Sequence, residues 1–178
     1  NFSGKTLYAV KVNPAPYVIS GLFHAGIKHF DVASLSEIKL IRDLCPTAEL
    51  SYLHPVKSRN AIEKAYFDYN VRCFAFDSAE ELDKIVNSTG KSKDLTLVLR
   101  LAVAGSSTGL FMSGKFGAAP EKAAQLLKAA RKVAKRVGIS FHVGGQAMEP
   151  EAYTNALALV GSILRAIPRT KVDIVDVG

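Results

Sequence analysis

The sequence predicts a parallel α/β fold, a (β/α)8 TIM barrel that stops after about seven strands, and three observations carry this. Apolar strand-like runs alternate with amphipathic helical stretches along all 178 residues. Polar residues recur at the C-terminal ends of those runs. The first run is followed by Asn13-Pro14-Ala15-Pro16 instead of the glycines of a dinucleotide loop, which favours the barrel over a doubly wound open sheet.

The elements follow in order. A run over 6–12 delivers Lys11 directly before the Pro14-Ala15-Pro16 break, and a helix is expected over 18–25. The second run, 28–33, carries Asp31, after which Ser34 and Ser36 offer N-caps to a helix over 35–44. The third, 49–53, leads into His54, and Ser58 caps a helix over 60–69. The fourth, 72–76, ends at Asp77; Ser78 caps a helix over 79–87, with Glu81 three residues later as in a capping box. The fifth, 95–103, holds Arg100 and precedes a helix over 120–137. The sixth, 139–143, holds His142 and precedes a helix over 150–167, and the seventh, 171–177, holds Asp176. Gly26, Gly90 and Gly138 stand where helices are expected to end.

Barrels collect their chemistry at the C-terminal rim. Any one of Lys11, Asp31, His54, Asp77, Arg100, His142 and Asp176 would pass as a cap or an edge residue; all of them on one rim read as a site. A lysine buried enough there to lose its proton attacks aldehydes, so Lys11 is the candidate for a Schiff base. Gly144-Gly145 and Gly178 let main-chain amides approach an anion. A lysine, a flat histidine, an arginine and late glycines together describe a pyridoxal phosphate site.

Composition narrows the class. With 48% hydrophobic and 22% charged residues the chain reads as an ordinary globular protein. It has no apolar stretch of membrane-spanning length and no signal-peptide pattern, so no membrane role and a cytoplasmic location are expected. The net charge of +7 concentrates in Lys122, Lys128, Arg131, Lys132, Lys135 and Arg136, whose helical spacing reads as a solvated face and not as a nucleic-acid surface. Cys45 and Cys73 match neither a disulfide framework nor a metal site and read as reduced packing residues.

Seven segments, Tyr8-Ala9-Val10-Lys11-Val12-Asn13, Phe30-Asp31-Val32-Ala33-Ser34, His54-Pro55-Val56-Lys57, Phe76-Asp77-Ser78, Leu99-Arg100-Leu101, Gly114-Lys115-Phe116-Gly117 and Phe141-His142-Val143-Gly144, occur in an order that resembles the ornithine/diaminopimelate/arginine decarboxylase family of pyridoxal phosphate enzymes. Within that family the second and third look most like bacterial ornithine or lysine/ornithine decarboxylases.

The resemblance implies that residues 1–178 form the pyridoxal 5'-phosphate-binding barrel domain, a TIM barrel of the alanine racemase-like type, incomplete in its eighth strand and without the family's C-terminal β-domain. It further implies that Lys11 anchors the cofactor and that His142 stacks on its ring. Asp31, Arg100, Gly145 and Gly178 would line the cofactor pocket, with Glu37, His54, Asp77 and Lys115 in support. The implied reaction is decarboxylation of a basic amino acid, ornithine foremost, to putrescine in polyamine synthesis, by a homodimer of the full-length protein, the fragment alone being inactive. Gly145 replaces the family's usual serine, which puts one phosphate hydrogen bond in doubt. A non-catalytic regulatory homologue that binds a protein partner, or a diaminopimelate decarboxylase or racemase of the same fold, are the alternatives.

Overall fold

The computed structural model describes residues 4–103, 116–144 and 150–178. Seven strands, β1 Leu7–Ala9, β2 His29–Val32, β3 Glu49–Tyr52, β4 Cys73–Phe76, β5 Thr96–Arg100, β6 Arg136–Ser140 and β7 Ile174–Asp176, form one all-parallel sheet in sequence order. Between them run α1 Pro16–His24, α2 Leu35–Leu44, α3 Arg59–Phe67, α4 Ala79–Ser88, α5 Pro120–Val133 and α6 Pro150–Arg165. Each helix packs on the next, so the helices form one layer on one face of the sheet.

Strand alternation builds the core on that face. Phe30, Val32, Phe74, Phe76, Leu97, Leu99, Ile139 and Phe141 are buried against Ile38, Ile41, Ile62, Ile85, Leu127 and Val160 of the helices. The intervening residues face a cavity of about 1280 Å³, lined by Ser51, Cys73 and Val98 and reached by Leu7 of β1 and Ile174 of β7. Both edge strands line one cavity, so the sheet curls toward a barrel. The cavity runs along the strands from Gly4 and Asp68 to Asp176 and Gly178, and Lys11, Arg100 and His142 are not among its lining residues. Burial pushes the Cys73 thiol up to about 11, consistent with an inert packing residue.

The caps form where the sequence places them. Ser34, Ser58 and Ser78 accept from the amides of Glu37, Ala61 and Glu81 at 3.2, 3.1 and 3.2 Å. Gly26 and Gly90 follow their helices at φ of +105° and +65°.

Two expectations are corrected. α5 ends at Val133, and Arg136 and Gly138 lie in β6, so Gly138 ends no helix and Arg136 belongs to no helix face. The physical reason at Gly138 is space: a Cβ there would lie 3.0 Å from the Ile174 Cβ and 3.3 Å from the Val98 Cγ2. The capping box at Ser78 is half made, because the Glu81 carboxylate turns away to Lys57 and Lys84. Among the described residues, no helix is long and apolar enough to cross a membrane and no cluster of metal-ligating side chains occurs.

Candidate active site

Lys11 does not continue β1. It sits in a single 3-10 turn, Val10–Val12, whose Val10 is fully buried while Lys11 is exposed. The turn is fixed from both sides: the Tyr8 hydroxyl donates to the Asn13 carbonyl at 3.2 Å, and Asn13 Oδ1 accepts from the Ala15 amide at 3.1 Å. The expectation of a buried lysine is corrected, since the turn lifts the side chain onto the rim. Among the described residues its ammonium has no carboxylate within 4.0 Å.

Around it converge one cation and several carboxylates. Asp31 is largely buried, and that burial raises its carboxyl to about 6; Lys11 opposes the rise, while Asp176 and Glu37 add to it. Burial lowers the Arg100 guanidinium at the end of β5, and Asp176, Asp31 and Asp77 counter this. The Glu37 carboxylate is committed locally, accepting from the Ala33 amide at 2.6 Å, so it braces the turn after β2.

His142 follows β6. Burial of its inner side lowers its pKa, as do the charges of Arg100 and Lys11, while Asp176 pulls the other way; at neutral pH the ring is neutral. Gly178 packs directly on it: with φ of +92°, a Cβ there would meet His142 Nδ1 at 3.0 Å and the Phe141 carbonyl at 3.1 Å. The Gly178 amide donates to Asp176 Oδ1 at 3.0 Å, which folds the chain after β7 back over the ring. Gly144 adopts a φ of +110° with open space around it.

His54 and Asp77 form a separate group. The His54 ring meets Phe116 edge-on with centroids 5.1 Å apart, and Asp77 Oδ2 accepts from the Gly117 amide at 3.1 Å. Gly117 has φ of +120°, and a Cβ there would lie 2.6 Å from the Ala102 nitrogen, so this segment returns flush against the extension of β5. Ala118 completes that return, exchanging hydrogen bonds with Arg100 and Ala102. Lys115 and Gly145 lie outside the described residues.

Sequence reasoning gives Asp176 a place on the rim but no role, and it misses Lys57. Asp176 stood on the rim in the strand count, and its charge bears on Asp31, Arg100 and His142 alike. Lys57 gave no warning beyond its place in the His54-Pro55-Val56-Lys57 segment.

The residues fit pyridoxal phosphate. Lys11 offers an exposed primary amine toward an aldehyde, His142 a neutral flat ring, and Gly144 and Gly178 backbone that no side chain blocks.

A curled parallel sheet with this rim suits a bound cofactor that would carry the hard chemistry. Residues 2–178 match the pyridoxal binding domain of the pyridoxal-dependent decarboxylases, and the chain belongs to that family, whose cofactor is pyridoxal 5'-phosphate. It is 39% identical over 152 residues to a lysine/ornithine decarboxylase of Selenomonas ruminantium, covering 84% of this chain and 37% of that protein. It is 35% identical over 156 residues to antizyme inhibitor 2 of Xenopus laevis, covering 86% and 33%. The crystal structure of lysine decarboxylase from Selenomonas ruminantium superimposes with a TM-score of 0.86 at 33% identity, over 98% of this chain and 46% of that one. The chain thus spans about a third of the length of the curated relatives it matches.

Proposed function

We propose that the protein decarboxylates a basic amino acid, ornithine foremost, giving putrescine for polyamine synthesis, as a cytoplasmic homodimer. The observation that carries this reading is the uncommitted Lys11 amine on the same rim as His142 and Arg100, in a chain of the pyridoxal-dependent decarboxylase family. Bound there, the cofactor supplies an electron sink for the carbon–carbon bond that breaks.

The residues of this chain position and exclude. In the proposed site the Lys11 amine would hold the cofactor. His142 would stack on its ring, with Gly178 packed against the imidazole. Asp31 sits near Lys11, and its pKa of about 6 lets it hold a proton or release it close to neutrality. Arg100 sets one positive charge among the carboxylates of Asp31, Asp77 and Asp176. Gly144 and Gly178 form the glycine rim for the phosphate.

The test is release of labelled carbon dioxide from carboxyl-labelled ornithine and lysine, with and without added pyridoxal 5'-phosphate. Cofactor-dependent release by the full-length protein is expected, faster from ornithine; no release from either substrate by the cofactor-loaded full-length protein would overturn the reading. The similarity to antizyme inhibitor 2 favours one second reading, a regulatory homologue that binds a protein partner. Retention of Lys11, Arg100 and His142 weighs against it.

A further inference from the structure

The described residues contain one lysine that is almost wholly buried, and the proposed chemistry does not use it. Lys57 is 3% exposed. Its Nζ donates to three carbonyls, those of Ala75 at 2.6 Å, His54 at 2.9 Å and Pro55 at 3.3 Å. An ammonium has three protons, and these carbonyls and the Glu81 carboxylate commit all of them. Glu81 Oε1 lies 2.9 Å from the same nitrogen as its counter-charge, and Lys84 balances the other Glu81 oxygen.

Apolar side chains in place of both Lys57 and Glu81 would fill this space without a buried ion pair, and such pairs commonly add little stability over that replacement. What the ammonium supplies is geometry. His54 and Pro55 belong to the loop after β3, and Ala75 belongs to β4, two residues before Asp77. One nitrogen therefore ties the backbone beneath His54 to the backbone beneath Asp77. Those two side chains hold the returning Phe116–Gly117 segment, by the ring contact and by the Asp77 hydrogen bond. That segment in turn pairs with the main chain of Arg100 through the Ala118 amide, at 2.8 Å.

We propose that Lys57 is a positioning residue, whose buried ammonium fixes the spacing of His54 and Asp77 and through them seats the Phe116–Gly117 segment against the strand that carries Arg100. The link from this seat to cofactor binding rests on the proposed function; the seat itself does not.

The experiment compares the full chain with its Lys57→Arg and Lys57→Met/Glu81→Leu variants by hydrogen exchange and by titration with pyridoxal 5'-phosphate. Lys57→Arg keeps the charge facing Glu81, but a planar fork cannot aim three donors at three convergent carbonyls. The paired variant removes the charge imbalance and leaves the carbonyls unmet. Exchange at the Val56 and Gly117 amides is expected to quicken at least tenfold in either folded variant, with the amides of Leu97 and Ile139 unchanged, and the half-saturating cofactor concentration to rise at least fivefold. Should the paired variant fail to fold, Lys57→Arg decides alone. Unchanged exchange at Gly117 would overturn the positioning role, and quickened exchange with unchanged cofactor binding would overturn its link to the site. If the unmutated protein binds no cofactor, the proposed function fails while the exchange comparison still decides the seat.

Discussion

The β1–α1 and β3–α3 loops each bring a lysine to the same end of the barrel, and the two lysines are opposites. Lys11 is lifted by a 3-10 turn onto the rim, exposed and unpaired among the described residues. Lys57 is drawn under the rim, with three carbonyls and Glu81 around its ammonium. A lysine with all its protons committed has no amine to offer an aldehyde, whereas an uncommitted one can be recruited by whatever binds beside it. The proposed roles thus separate two uses of one residue type: chemistry at Lys11, architecture at Lys57.

The comparison breaks first at Lys11. Lys11→Ala is expected to cut decarboxylation on the order of a thousandfold with little change in melting temperature, because it deletes an exposed side chain; steady-state kinetics beside a thermal melt checks both halves. Lys57→Met should show the reverse emphasis. It leaves three carbonyls unmet and the buried Glu81 charge with Lys84 as its remaining partner, and a loss of about 3 kcal/mol in chemical denaturation is expected, the lower end of what removing one partner of a buried pair costs.

Smaller effects test the surroundings of the rim. Gly178→Ala puts a methyl group 3.0 Å from His142 Nδ1 at a φ of +92°, so about tenfold weaker cofactor binding is expected in a fluorescence titration. The smallest effect lies at Asp31. Its folded pKa of about 6 stands above the unfolded carboxylate value, so the folded state holds the extra proton and this contribution to stability is present at low pH. It is lost as pH rises from about 4 through 6. Asp31→Asn, which cannot ionise, should therefore raise the melting temperature of the cofactor-free protein by a few degrees at pH 8 and change it little at pH 4.

Much of this was legible in the residues. Ser34, Ser58 and Ser78 announce their helices because a hydroxyl before an amphipathic run has one obvious use, satisfying an amide left open at the helix start. Lys11, Asp31, Arg100 and His142 were legible as a group because parallel strands deliver their ends to one rim. The boundary between α5 and β6 was not legible: basic residues run from Lys128 to Arg136 without a breaker, and only packing against Val98 and Ile174 makes Gly138 a strand residue.

Lys11 and Lys57 show the deeper limit. Periodicity places a residue along an element but not above or below its end, and a lysine carries no mark that it will be buried. The 3-10 turn exposes one, and three carbonyls from two neighbouring strand ends capture the other. Both outcomes depend on strands 1, 3 and 4 being in place, which is tertiary information.

Borohydride reduction of the protein after incubation with pyridoxal 5'-phosphate, followed by proteolysis and mass mapping of the lysines, puts the separation of roles to the most direct test. Stoichiometric pyridoxyl label on the Lys11 peptide, with Lys57 unlabelled, is the result expected. Label on Lys57, or a Lys11 peptide left unmodified in a cofactor-saturated sample, would contradict the assignment of chemistry to one lysine and architecture to the other.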